Sequence, residues 1–154
     1  MKTFLNILFL IIFVSWGKNF TFAQSSTTMQ DIIETVTAKI VELEDEKSQE
    51  VVNITMDLLV RDGKKTLYRF LDPSFDYTMI AIGDRRISKL KVTVYKKTAD
   101  NWEYVAEVSD AKPEIKIFPA NFEQYEFTIA VDEFKGNNTT GHYAILLYHR
   151  NPEK

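Results

Sequence analysis

The sequence predicts a mainly β protein, a jelly-roll-like antiparallel β-sandwich of about eight strands with one N-terminal α-helix. Three observations predict it. Apolar residues recur at helical spacing only between Met29 and Leu43, and at a spacing near two from Val52 onward. Turn-forming residues then interrupt the chain about every 8–12 residues, as in sandwiches. The 154 residues contain no cysteine, yet 45% are hydrophobic, with 11 Phe and 7 Tyr, so a packed core must hold the fold without cross-links.

The first segment reads as an export signal. Met1-Lys2-Thr3 is a short basic start, Phe4 to Trp16 is almost wholly apolar, and Gly17 breaks the run. Thr21-Phe22-Ala23 then places small residues at the −3 and −1 positions before Gln24, the layout of a cleavable secretory signal. A bilayer span needs roughly 20 apolar residues, more than this run offers. The expected organisation is a signal at 1–23, a leader and helix at 24–49, the sandwich at 50–150 and a tail at 151–154. The mature chain is expected to be periplasmic or extracellular, with no membrane span.

Met29, Ile32, Ile33, Val36, Ile40 and Leu43 describe one helix face, predicting a helix from about Met29 to Lys47. Thr28 with Asp31 fits a capping box at its start. The acidic cluster Glu42 to Glu46 opposes the dipole at its end and predicts early fraying. Val52, Ile54, Met56, Leu58 and Val60 alternate with Asn53, Thr55, Asp57, Leu59 and Arg61, as in a half-buried strand. Asp62-Gly63 suits a tight hairpin with positive φ at both central positions, although a two-residue loop would set Arg61 against Lys64. Further strands are expected at Thr66–Leu71, Tyr77–Ile82, Leu90–Lys96, Trp102–Val108, Glu114–Phe118, Tyr125–Val131 and His142–His149. Asp72-Pro73, Gly83-Asp84, Ala99-Asp100-Asn101, Asp110 to Pro113, Pro119 to Asn121 and Gly136 to Gly141 separate them.

Between Leu67 and Tyr148 the strands carry a pattern. Tyr68-Arg69-Phe70-Leu71 leads into Phe75-Asp76-Tyr77, then Ile80-Ala81-Ile82-Gly83-Asp84 and Leu90-Lys91-Val92-Thr93-Val94-Tyr95. Pro113-Glu114-Ile115-Lys116-Ile117, Gln124-Tyr125-Glu126-Phe127-Thr128-Ile129 and Gly141-His142-Tyr143-Ala144-Ile145 complete it. This stretch resembles bacterial pre-peptidase C-terminal domains and their secreted relatives. The resemblance implies a jelly-roll-like sandwich serving as an accessory module of exported proteins rather than as a catalyst. Where the family often carries acidic residues in the first half of the "L-x-V-x-V-Y" strand and the loop before it, this chain departs with Arg85-Arg86-Ile87-Ser88-Lys89, and the departure puts in doubt a calcium or other cation site in that loop.

Composition narrows the chemistry. Without cysteine there is no thiolate zinc site, Fe–S cluster or cysteine nucleophile. A net charge of −3 argues against general nucleic-acid binding. His142 and His149 stand seven apart in one strand, so they point to opposite faces and cannot act as a pair. No nucleophile elbow, phosphate-cradling glycine loop or EF-hand is present. The carboxylates, including Asp132-Glu133 and Asp100-Asn101, read as solvated turn and strand residues, and no cofactor is expected. The sequons at Asn53, Asn137 and Asn138 read as incidental.

Five residues stand out as candidate binding groups. Trp102 alternates with Tyr104 just after a turn, an arrangement suited to stacking on a sugar ring. Asp84 precedes Arg85 and Arg86, an arginine pair able to grip an anion bidentately. The leading expectation is a non-catalytic module for a protein partner, using strand edges or sandwich loops. The alternatives are a carbohydrate-binding module built on Trp102 and a hydrolase whose site shows no motif.

Overall fold

The computed structural model describes residues 27–150, so the expected signal at 1–23 and tail at 151–154 lie outside the described residues. Helix α1 (Thr28–Val41) runs into a π-helical turn (Glu42–Glu46), and eight strands follow. They are β1 (Gln49–Val60), β2 (Lys64–Leu71), β3 (Tyr77–Gly83), β4 (Ile87–Lys97), β5 (Trp102–Asp110), β6 (Glu114–Ile117), β7 (Glu123–Phe134) and β8 (Thr140–Arg150). Sheet A has the order β1-β8-β3-β6 and sheet B the order β2-β7-β4-β5, with antiparallel pairing throughout. This is the strand order of a jelly roll, as expected.

Two apolar layers hold the molecule. Between the sheets, Met79, Ala81, Tyr143 and Ile145 of sheet A meet Leu90, Val92, Val94, Phe127 and Ile129 of sheet B. On the outside of sheet A, Ile32, Val36 and Leu43 cover Ile80, Ile82, Ala144, Leu146 and Tyr148. Strand β8 is therefore buried on both faces from Tyr143 to His149. His142 and His149 do point to opposite faces. His149 lies inside, stacked on Phe75 at 4.1 Å, while His142 meets the helix start at Thr28.

The helix begins one residue earlier than the spacing predicted. Thr27 is the cap, its hydroxyl accepting the Gln30 N–H at 3.1 Å, and Thr28 instead turns its hydroxyl to His142 Nδ1 at 3.3 Å. The acidic end does not fray but widens into the π turn. Lys47 and Lys39 both contact the Glu42 carboxylate and hold its pKa down at about 2, which neutralises the clash with the dipole. Glu44 reaches across to accept the Val51 N–H at 3.2 Å.

The Asp62-Gly63 hairpin does not form. β1 pairs with β8 and β2 with β7, so this turn carries the chain from one sheet to the other, and Arg61 does not face Lys64. Its backbone N–H and guanidinium bond Thr139 O and Asn138 O, both at 2.8 Å. Of the two turn residues, Asp62 alone takes a positive φ, of 61°. A Cβ at 63 would lie 2.7 Å from Val60 Cγ2, so a larger residue there requires the exposed Val60 side chain to shift.

Strand β1 alternates as expected, but its apolar half is the open one. Val52, Ile54, Met56, Leu58 and Val60 are exposed, while Asn53, Thr55, Asp57 and Leu59 face inward opposite Leu147, Ile145, Tyr143 and Gly141. The cause is position. β1 is an edge of sheet A, and α1 lies over β8 and β3, so among the described residues no helix covers the outer face of β1 from Val52 to Val60.

Candidate functional site

Among the described residues no helix lies on the outer face of sheet B, and the strand registers write that face in rows. Thr66, Thr128, Thr93 and Glu107 form one row across β2, β7, β4 and β5. Tyr68, Glu126, Tyr95 and Tyr104 form the next. Beyond it stand Phe70 and Gln124 at one side, with Lys97 and Trp102 at the other. Period-two alternation produces this arrangement, because the partners of these residues along each strand (Leu67, Phe127, Val92, Val94) point into the core.

The threonine row is a hydrogen-bonded floor. Thr93 donates to Glu107 at 2.8 Å, Thr128 donates to Glu126 at 3.1 Å, and the Thr66 and Thr128 hydroxyls lie 3.4 Å apart. Aromatic rings border it in three contacting pairs. Tyr95 and Tyr104 meet edge-on at 6.0 Å, Tyr68 and Trp102 lie tilted to each other at 5.6 Å, and Phe70 stacks on Phe122 at 5.5 Å. Lys97 sits 5.2 Å from the Trp102 ring centre, a cation–π contact that fixes the indole. Partial burial, together with the charge and hydrogen bond of Glu126, raises the pKa of the Tyr68 hydroxyl. Between floor and rings lies an open groove of about 340 Å³, lined among others by Lys91, Thr93, Trp102, Glu107 and Glu126. It offers flat apolar rings beside hydroxyl, carboxylate and ammonium groups, the mixture that orients a small polar ligand with a hydrophobic face.

The structure brings Trp102 and Tyr104 together on this face. Asp84, Arg85 and Arg86 lie elsewhere, at the far end of β4 in the turn between β3 and β4. Asp84 is 3% exposed and fully bonded. It accepts the Arg86 backbone N–H at 2.8 Å, Arg86 Nε and NH2 at 3.0 and 2.6 Å, and the His142 N–H at 2.8 Å. Burial pushes its pKa up, but Arg86 and the two backbone N–H groups outweigh it and hold the carboxyl below its ordinary range. Arg85 pairs with Asp31 of α1 at 3.0 Å. These three residues tie the β3–β4 turn to β8 and to the helix start, and the five candidates do not form one site.

Sequence reasoning did not single out Tyr68, Tyr95, Glu107 or Glu126. Their signal was present as alternation within Thr66–Tyr68–Phe70 and Thr93–Tyr95, but β2 and β4 are not consecutive, and only the jelly-roll order places them in one sheet with β5.

No family model matches the chain, and no curated protein matches it in sequence. Among solved structures it is similar to the Yersinia pseudotuberculosis-derived mitogen, at 8% identity over 62% of this chain and 82% of that one, with a TM-score of 0.43. It is similar to tripeptidyl peptidase 2 at 9% identity over 62% of this chain and 10% of that one, with a TM-score of 0.45. A third is TmCBM61 in complex with beta-1,4-galactotriose, at 14% identity over 68% of this chain and 84% of that one, with a TM-score of 0.33. At these values the likeness carries nothing about a site.

Proposed function

We propose that this protein is an exported, non-catalytic binding module whose ligand is a carbohydrate held on the outer face of sheet B. The observation that carries the reading is Trp102 beside a threonine floor, with Tyr68 against its ring and Tyr95 and Glu126 in the adjoining row. A sugar has apolar ring faces and hydroxyl edges, and this surface meets both kinds of group within one groove. The carboxylates there, Glu107 and Glu126, each accept a threonine hydroxyl, which supports orientation of a ligand rather than proton transfer to it. The layout of residues 1–23, that of a cleavable secretory signal, is what supports export.

Affinity electrophoresis against a panel of neutral and acidic polysaccharides tests it, followed by calorimetry on any hit. At least one polysaccharide is expected to retard the protein, and Trp102→Ala is expected to weaken that binding at least about tenfold with the fold intact. Retardation by none of the panel, or equal binding by Trp102→Ala, would overturn the reading.

A further inference from the structure

The aromatic surface of sheet B continues past Trp102. Phe70 and Phe122 are 61% and 67% exposed, and their rings stack at 5.5 Å with planes 12° apart. Alternation along β2 sets Phe70 on the same face as Thr66 and Tyr68, while Leu71 turns into the core. Phe122 stands just before β7 and reaches that face through its stack with Phe70. Leu71 and Tyr125 make the core contact at this end and are fully buried, so core packing does not account for the two open rings.

Tyr68 joins this pair to Trp102. It lies two residues from Phe70, about 7 Å along β2, and its ring is 5.6 Å from that of Trp102. Trp102, Tyr68, Phe70 and Phe122 therefore form one band of rings, up to ~18 Å long. The band crosses the sheet, because Trp102 opens β5 and Phe70 belongs to β2, the two edge strands of sheet B.

Polar groups accompany the band and narrow what can lie on it. Gln124 is the partner of Phe70 on β7, and the Lys96–Tyr125 pairing brings Lys97 to its other side. Glu126 is the partner of Tyr68. The Gln124 amide can both donate and accept, the Lys97 ammonium only donates, and the Glu126 carboxylate only accepts. An apolar protein surface laid over the rings would cover these groups and give them nothing to bond. A chain of sugars turns ring faces to the aromatics and hydroxyls to the amide, ammonium and carboxylate. One sugar covers one ring, whereas a run from edge to edge uses all four.

Resting on the carbohydrate reading above, we infer that Phe70 and Phe122 form a second stacking subsite. The ligand is then an internal stretch of a polysaccharide lying across the strands from Trp102 to Phe122, rather than a single sugar.

Calorimetry with disaccharides and hexasaccharides of β-1,4-glucan, β-1,4-mannan, β-1,4-xylan and α-1,4-galacturonan tests it. At least one hexasaccharide is expected to bind, at least about tenfold more tightly than its disaccharide. Phe70→Ala and Phe122→Ala are each expected to remove most of that gain. Both should leave disaccharide affinity and circular dichroism unchanged, because the two rings are open to solvent. Phe122→Tyr keeps a stacking ring and should bind the hexasaccharide as the native chain does, whereas Trp102→Ala should weaken both lengths. Equal affinity for the two lengths, or hexasaccharide binding untouched by both alanine variants, would overturn the second subsite and leave Trp102 as the whole platform. Binding of no saccharide of either length would overturn the sheet B reading together with it, so the two failures are distinct.

Discussion

The two sheets of this sandwich share an inner core but differ on their outer faces. Sheet A turns Ile80, Ile82, Ala144, Leu146 and Tyr148 outward and hides them under α1. Sheet B turns out threonines, lysines, carboxylates and aromatic rings, and no other element among the described residues covers them. Both faces arise from the same period-two alternation, so the difference lies in side-chain chemistry rather than backbone geometry. Burying aliphatic side chains is favourable, and local helix packing covers the outer faces of β3 and β8 while β1 at the edge stays open. A face of hydroxyls bonded to carboxylates is stable in water, which leaves it free to be shaped by a ligand.

The largest expected effect breaks the covered face. Leu146 is fully buried between β8 and the helix, so Leu146→Ala should cost about 3 kcal/mol of unfolding free energy, read by urea denaturation. A cost under about 1 kcal/mol would mean that α1 adds little to sheet A. Next comes the tie between helix and turn. Asp84→Asn removes a buried carboxylate that receives four hydrogen bonds and should cost about 2 kcal/mol. The native contribution has a defined sign. Because the folded pKa lies below the ordinary 3.8, this stability is present above that value and is lost as pH falls through the folded pKa. The Asn variant should therefore lose less stability between pH 5 and pH 3 than the native chain does.

A smaller effect should appear at the other end of the pH scale. Burial, with Asp57 nearby, raises the Tyr143 pKa from 10.0 to about 12. Burial likewise raises Tyr125 and Tyr148. A raised folded pKa favours the neutral form, so the contribution is full below pH 10 and disappears as pH climbs from 10.0 toward 12. Thermal melts from pH 8 to pH 12 should fall steeply in that window, and Tyr143→Phe should shallow the fall. An unchanged slope in the variant would assign the alkaline loss to other groups.

Much of this architecture is legible in the residues themselves. Every strand falls where alternation and turn chemistry place it, because both signals are local. What alternation does not carry is which face of a strand meets the core. In β1 the aliphatic set faces out and Asn53, Thr55 and Asp57 face in, since the strand lies at an edge where the helix does not reach. The Asp62-Gly63 turn reads as a hairpin for a similar reason, because a turn joining two sheets looks the same as one joining two paired strands. Trp102 and Tyr104 are legible as a pair two residues apart. Tyr68 is not, because its contact with Trp102 crosses the whole of sheet B.

The smallest predicted effect is the sharpest test of the open face. Thr66 is exposed on β2, and its hydroxyl meets that of Thr128 at 3.4 Å, the long end of a hydrogen bond. Thr66→Val keeps the β-branched shape and strand preference and removes only that contact. Its stability should stay within about 0.5 kcal/mol of the native chain. If the face serves a ligand, the same substitution should still weaken polysaccharide binding, since the floor loses a hydroxyl next to Thr128. If the face were a structural layer like its counterpart on sheet A, the order would reverse, with a clear stability loss and no change in binding. The two measurements on one variant therefore separate a surface maintained for folding from one available for recognition.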